Sequence, residues 1–90
     1  MLTNEPPWDD EDWDPTVYRY QQIAAWCEAR IKDGRWPAKT VLSEVELQHY
    51  FRVGRNTIRQ AFALLRERRL IVTLPAKGSV VIPTNGDVLD

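Results

Sequence analysis

The chain has one cysteine, one histidine and no long hydrophobic run. Because Cys27 is the only cysteine, an internal disulfide is excluded and a reducing, cytoplasmic setting is expected. No apolar stretch approaches the roughly 20 residues that span a bilayer, and none resembles a secretory signal. We therefore expect neither a membrane segment nor a membrane partner.

Catalytic groups are equally scarce. One histidine, one cysteine and two serines do not form a convincing catalytic triad, and the sequence has neither a phosphate-binding glycine loop nor a metal-ligand cluster. We expect a protein that is not an enzyme and that needs no cofactor or metal.

The charges are segregated along the 90 residues. The overall net charge is only -1, but residues 1–16 contain six acidic residues and no Lys or Arg. Residues 17–84 contain all 12 Lys and Arg against five acidic residues, a net charge of +7. A basic centre between acidic ends is typical of a domain that binds a polyanion.

Periodicity predicts three helices. Helix 1 is expected from Pro15, with Asp14 as its N-cap, to Asp33, and helix 2 from Glu44 to Tyr50 behind a capping box at Ser43 and Glu46. Helix 3 should begin after Gly54 and end near Arg68. The apolar residues predicted to face the core on helices 1 and 3 are Val17, Tyr20, Ile23, Ala24, Cys27, Ile31, Ile58, Ala61, Phe62 and Leu65.

Two β-branched runs follow the helices. Residues 70–74 and 79–82 are separated by Pro75-Ala76-Lys77-Gly78, which predicts a hairpin with Lys77 at its tip. The predicted fold is mainly α with a small β-hairpin, a winged helix-turn-helix of three helices and a two-stranded wing. We divide the chain into an acidic flexible arm (1–14), the winged domain (15–84) and an acidic C-terminal tail (85–90).

The first turn of helix 3 carries the strongest functional signal. Arg55, Asn56, Thr57 and Arg59 crowd together there, and such side chains can meet base edges and phosphates in a DNA major groove. Each also has a plainer reading: the arginines could be a solvated face, and Asn56 and Thr57 could act as alternative caps. Similarly, Lys77 could reach the minor groove or only face solvent.

Residues 20–81 resemble the DNA-binding domain of the GntR family of bacterial transcription regulators. The similar segments are Tyr20 with Ile23-Ala24, Ile31 to Gly34, Ser43 to Leu47, Val53 to Phe62, and Pro75 to Ser79. The resemblance implies major-groove docking of helix 3, contact of the wing in or along the minor groove, and the following contact residues: Arg55, Asn56, Thr57, Arg59, Lys77 and Gly78. We add Ser43, which is first of all a structural cap, because the N-terminus of its helix could still meet a phosphate.

Some residues depart from the family pattern. Val45 stands where the family commonly has a DNA-contacting arginine, and Gly54 replaces a capping serine that often meets phosphate. Glycines common in the family are replaced at Ala38 and Arg69. We expect no effector-binding domain after residue 90 and therefore no small-molecule effector.

The sequence therefore predicts a sequence-specific DNA-binding regulator, most simply a repressor. Double-stranded DNA is the expected partner, and a homodimer is possible because one small module covers few base pairs. The alternative is a winged-helix adaptor in a regulatory or replication complex. The acidic arm with Trp8 and Trp13 could be a solvated tail, an anchor on a second subunit, or a DNA mimic over the basic face.

Overall fold

The computed structural model describes Leu2 and residues 5–83. It contains α1 (Arg19–Lys32), β1 (Val41–Leu42), α2 (Glu44–Phe51), α3 (Arg55–Glu67), β2 (Ile71–Leu74) and β3 (Gly78–Val81). A single 3-10 turn at Asp10–Asp12 precedes them. Each helix among the described residues is too short or too polar to cross a bilayer. The predicted order of three helices followed by a hairpin wing is confirmed.

The sheet has one strand more than predicted. Besides the β2 and β3 hairpin, β1 pairs antiparallel with the other edge of β3, with Val41 opposite Val80 and Leu42 opposite Ser79. Two residues are too few to produce an alternating pattern in a sequence, and this strand exists only because β3 offers a free edge. It ties the wing to the loop that leads into α2.

The core lies where α1, α2, α3 and the sheet meet. The predicted inward residues of α3 are buried, and so are Ile23, Ala24, Cys27 and Ile31 on α1. Burial raises the pKa of the Cys27 thiol to about 12, which leaves this thiol protonated and unreactive at neutral pH. Trp36, Leu42, Leu47, Phe51, Ile71 and Val81 complete the buried cluster.

Helix α1 begins four residues later than the sequence predicted. The Asp14 carboxylate accepts from the backbone N–H and the hydroxyl of Thr16, at 2.9 and 2.6 Å. The Gln22 side chain donates to the carbonyl oxygens of Asp14 and Val17, both at 2.8 Å. These bonds stabilise a turn in place of a first helical turn. Val17 consequently lies outside the helix and is exposed, not buried as predicted.

The segment predicted as a flexible arm lies against α1 and α2 in the structure. The Trp8 ring centroid is 5.1 Å from that of Trp13 and 5.0 Å from that of Phe51, both edge-on. The Tyr50 hydroxyl donates to the Pro6 carbonyl. Each half-buried indole removes enough apolar surface from water to offset part of the entropy lost on ordering the arm. Both tryptophans therefore contact the chain's own core.

A buried ion pair holds the start of this segment. The Glu5 carboxylate, with 8% of its side chain exposed, accepts from Arg30 Nη2 at 2.8 Å and Nε at 3.1 Å. The Arg30 guanidinium also lies 3.5 Å from the Trp26 ring centroid. The remaining carboxylates, at Asp9 to Asp12, are exposed. The predicted tail at 85–90 falls outside the described residues.

Among the described residues, four other than glycine adopt positive φ: Lys39, Arg52, Arg69 and Ala76. Arg69 (φ 60°) stands where the resemblance noted a missing glycine, and Ala76 (φ 64°) lies in the wing turn. Left-handed geometry costs an L-residue roughly 1–2 kcal/mol, most of which glycine avoids. Two of the four strained positions therefore lie in the turns on either side of β2.

Replacing Ala76 by glycine should stabilise the domain. We expect Ala76→Gly to raise the free energy of unfolding by about 0.5–1 kcal/mol, since it relieves the left-handed strain. Ala63 is also an exposed alanine and lies inside α3, so Ala63→Gly should lower the free energy of unfolding by about 1 kcal/mol. Urea unfolding of the two variants measures both signs, and stabilisation by neither or by both would contradict the assignment of strain to Ala76.

Glu5→Gln should destabilise the fold, because it replaces a carboxylate that accepts two hydrogen bonds from Arg30. A loss of about 1–3 kcal/mol is expected at pH 7, whereas Glu11→Gln, at an exposed site, should stay within about 0.5 kcal/mol. The Arg30 hydrogen bond lowers the pKa of Glu5 below its usual 4.5. Its stabilisation is therefore complete above pH about 4.5 and is lost as the pH falls through the lowered value.

Urea unfolding at pH 7 and pH 3 should show that the free energies of unfolding of Glu5→Gln and of the unaltered protein converge in acid. Equal destabilisation at both pH values would contradict a role for the Glu5 charge, and no destabilisation at pH 7 would show that the segment is not held through Glu5.

Candidate nucleic-acid interface

The turn between α2 and α3 sets the exit direction of α3. Arg52 takes the left-handed conformation (φ 57°, ψ 47°), and its backbone N–H and that of Val53 both donate to the Gln48 carbonyl. Gly54 is the N-cap of α3 in extended geometry (φ -77°). The left-handed residue of this turn is therefore Arg52 and not Gly54. The freedom of glycine is not used at position 54.

The first turn of α3 presents the predicted polar residues outward. Ile58 is fully buried, whereas Arg55 and Asn56 are exposed and Thr57 is half-buried. Arg59 follows Arg55 by one helical turn, and 59% of its side chain is exposed. Two guanidinium groups therefore share one outward stripe of α3.

Ser43 begins α2 as its N-cap. Its hydroxyl oxygen accepts from the Glu46 backbone N–H at 3.1 Å, which confirms half of the predicted capping box. The hydroxyl is thus committed to the helix as an acceptor, while the N–H groups of Glu44 and Val45 lie at the helix start and have no partner within the helix. Ser43 can offer a ligand its hydroxyl proton and a helix N-terminus.

Glu44 joins α2 to the outward stripe of α3. Its carboxylate Oε2 lies 3.8 Å from Arg59 Nε, and both side chains are more than one-third exposed. Such a pair contributes little to stability, but it restricts where the Arg59 guanidinium points. The next residue, Val45, is 59% exposed, in the same first turn of α2.

The wing tip carries the remaining predicted residues. Pro75, Ala76 and Lys77 are exposed, and the Lys77 backbone N–H donates to the Leu74 carbonyl at 3.2 Å. Gly78 has φ 83° and opens β3 opposite Leu74. The Lys77 ammonium is therefore held at the end of a short hairpin, and Gly78 provides a backbone conformation that other residues rarely adopt.

Ion pairs divide the basic residues into two groups. On and around α1, Arg30, Lys32, Arg35 and Arg68 pair with Glu5, Glu28 or Asp33, while the Arg19 guanidinium lies over the Trp13 ring. Within residues 5–83, Arg19 makes no ion pair. A second set of basic residues also makes none: Lys39, Arg52, Arg55, Arg66, Arg69 and Lys77. Four of this second set, Arg52, Arg55, Arg66 and Lys77, lie in the helix-turn-helix and at the wing tip.

Two further residues belong to this surface. Glu44, next to Ser43, approaches Arg59 through tertiary structure, which no local sequence pattern signals. Arg66 follows Arg59 by seven residues and so continues the outward stripe of α3. From the sequence alone, Arg66 could be either a phosphate contact or an ordinary surface charge.

The described residues contain no group of three or more His, Cys, Asp or Glu side chains that could hold a metal ion. The chemistry available on this surface is hydrogen-bond donation by arginine, lysine, amide and hydroxyl groups.

Comparison with known proteins places the chain in a family. Residues 19–81 match the family described as bacterial regulatory proteins, gntR family. A putative GntR transcriptional regulator from Rhodococcus sp. RHA1 is 32% identical with a TM-score of 0.70, over 73% of this chain and 32% of that one. A GntR family transcriptional regulator from Listeria monocytogenes is 30% identical with a TM-score of 0.71, over 78% of this chain and 62% of that one.

A third similar structure contains nucleic acid. The AraR DNA-binding domain in complex with operator ORE1 is 26% identical, with a TM-score of 0.68, over 83% of this chain and 89% of that one. No curated protein sequence matches the chain. The chain spans about a third of the Rhodococcus regulator and less than two thirds of the Listeria one.

The match over residues 19–81, together with the three helices and the wing, confirms the resemblance seen in the sequence. The chain belongs to the gntR family of bacterial regulatory proteins and contains the DNA-binding domain of a transcription regulator.

Proposed function

We propose that this chain is a cytoplasmic, sequence-specific DNA-binding repressor that places α3 in the major groove of its operator and the wing in the adjacent minor groove. The observation that carries the proposal is the outward stripe of Arg55 and Arg59 on a helix whose other face is buried. The AraR DNA-binding domain, similar in fold, is described in complex with an operator, which supports the same class of ligand here.

Each residue of the first turn of α3 has a chemical role in this proposal. An arginine can pair with O6 and N7 of guanine through two hydrogen bonds, and an asparagine can do the same with adenine. Arg55 and Asn56 reach furthest toward the groove floor, since they occupy the first two helical positions. Thr57 and Ser43 contact phosphates or bases through their hydroxyl protons.

The wing contacts the second groove of the DNA, the minor groove. Lys77 contributes a positive charge at the hairpin tip, and Gly78 lets the backbone approach the minor groove closely because it has no side chain. One module covers few base pairs, so we propose that two copies bind repeated half-sites as a homodimer. Occupancy of a promoter by such a dimer would block transcription.

Loss of Arg59 should weaken specific binding. Operator sequences would be selected from a random duplex pool and affinity measured by fluorescence anisotropy. Arg59→Ala should cost about 1–3 kcal/mol on the selected duplex. Arg35 is a matched control because 59% of its side chain is exposed and it too pairs with a carboxylate, yet it follows α1. Equal losses for Arg35→Ala would contradict the docking surface.

Lys77 should contribute charge but no sequence preference. Lys77→Ala should reduce the slope of log affinity against log salt by about 1 on both selected and random duplexes. Lys32 on α1, 65% exposed, provides the control, and Lys32→Ala should leave the slope unchanged. Unchanged slopes for both variants would remove the wing from the interface. If the intact chain shows no salt-dependent binding, the adaptor alternative is favoured instead.

Val45 offers a test by gain of function. Because its side chain is 59% exposed, Val45→Arg should leave stability within about 0.5 kcal/mol and steepen the salt slope by about 1 through a new phosphate contact. Val17, 40% exposed and outside the helix-turn-helix, is the control. Thermal melting and anisotropy titrations measure both quantities, and an equal gain for Val17→Arg would show that only net charge matters.

A further inference from the structure

A recess of about 190 Å³ lies between α3 and the wing. Its walls come from three parts of the fold: the start of α2, the outward stripe of α3, and the hairpin. The lining residues are Glu44, Arg59, Phe62, Arg66, Thr73 and Ser79.

The polar groups of the recess are only partly satisfied by one another. Arg66 Nη1 donates to Thr73 Oγ1 at 3.2 Å, and Thr73 Oγ1 lies 3.1 Å from Ser79 Oγ. Arg66 makes no ion pair within residues 5–83, and one contact uses one of the five N–H donors of a guanidinium. Ser79 is the one buried polar residue found among the described residues.

The chemistry of the recess favours an anion with several oxygen atoms. Two guanidinium groups and two hydroxyls converge on it, and planar guanidinium groups bind phosphate oxygens through paired, charge-assisted hydrogen bonds. Glu44 is the only acidic residue on the wall, and its carboxylate is occupied by Arg59. Arg66 is left as the positive charge without a counterion.

We propose that this recess seats one phosphodiester of the DNA strand that separates the two grooves occupied by α3 and the wing. The inference rests on the proposed function and names a site that the docking surface did not include. If α3 enters a major groove and the hairpin tip enters the adjacent minor groove, the strand between those grooves passes between the two elements. The recess opens between the same two elements.

The shared contact has a mechanical consequence. Arg59 and Arg66 approach the phosphate from the helix, and Thr73 and Ser79 approach it from opposite strands of the wing, where they form a cross-strand pair. One phosphate therefore fixes the wing relative to α3. Because phosphates carry no base identity, this contact sets the register of the protein on the duplex without specifying sequence.

The test removes one phosphate charge at a time. Single methylphosphonate substitutions along the selected operator give neutral linkages, and anisotropy titrations locate the sensitive position. For the unaltered protein, neutralising the seated phosphate should weaken binding about 10-fold, the loss expected for a charge-assisted contact. In Arg66→Gln the same substitution should weaken binding clearly less, since Arg59 and the hydroxyls still face that phosphate, and Arg66→Gln alone should reduce the salt slope by about 1.

Arg68→Gln is the control, because Arg68 lies two residues away and pairs with Glu28 at 2.9 Å. Arg68→Gln should leave both the position of the sensitive phosphate and the salt slope unchanged. Thermal melting of each variant establishes that it is folded, and Thr73→Val provides a second variant that removes a hydroxyl at nearly constant volume.

Inorganic phosphate has the same chemistry as the DNA linkage, so a titration with it distinguishes a free anion from a DNA phosphate as the occupant of the recess. Titration with phosphate against chloride at equal ionic strength should not stabilise the free protein; stabilisation that disappears in Arg66→Gln would assign the recess to a free anion and overturn the inference. Specific DNA binding in which no phosphate depends on Arg66 would also overturn it, while the proposed function stands. Absence of any DNA binding would instead refute the proposed function.

Discussion

The burial of one face of α3 is the constraint on which the rest of the structure depends. Ile58, Ala61, Phe62 and Leu65 are each at most 2% exposed, and they fix the rotation of the helix about its axis. With that rotation fixed, Arg55, Arg59 and Arg66 must face outward. The surface that reads DNA in our proposal is therefore a geometric consequence of the hydrophobic core.

Charge pairing divides the molecule into two halves. The acidic N-terminal segment packs against α1 and α2, and its Glu5 neutralises Arg30 at a site that is almost fully buried. Glu28 similarly holds Lys32 and Arg68. These contacts leave Arg52, Arg55 and Lys77 without carboxylate partners among the described residues, so the positive potential is concentrated on the helix-turn-helix and the wing tip. The near-zero net charge of the chain conceals this arrangement.

Local patterns in the sequence predicted the helix-turn-helix and the wing because their signals repeat within a few residues. The Ser43 cap, the apolar stripe of α3 and the hairpin turn are all of this kind. Features that depend on distant residues were missed: Trp8 packs on Phe51, β1 needs the edge of β3, and the recess needs α3 and the wing together. The predicted start of α1 was wrong because the Asp14 carboxylate accepts hydrogen bonds from Thr16 and does not cap a helix.

The site residues proposed from the sequence, Arg55, Asn56, Arg59, Lys77 and Gly78, are exposed, and Ser43 and Thr57 are half-buried. Their exposure follows from helical periodicity and turn chemistry, which are local signals that a sequence carries.

The most direct test of the account is an NMR titration of the intact chain with its selected duplex, following every backbone amide. We predict that the largest shift changes fall on residues 43–45, 52–59, 66 and 73–79, while residues 5–13 and 25–36 change little. The largest changes in residues 5–13 and around α1, with α3 and the wing unaffected, would contradict the central claim.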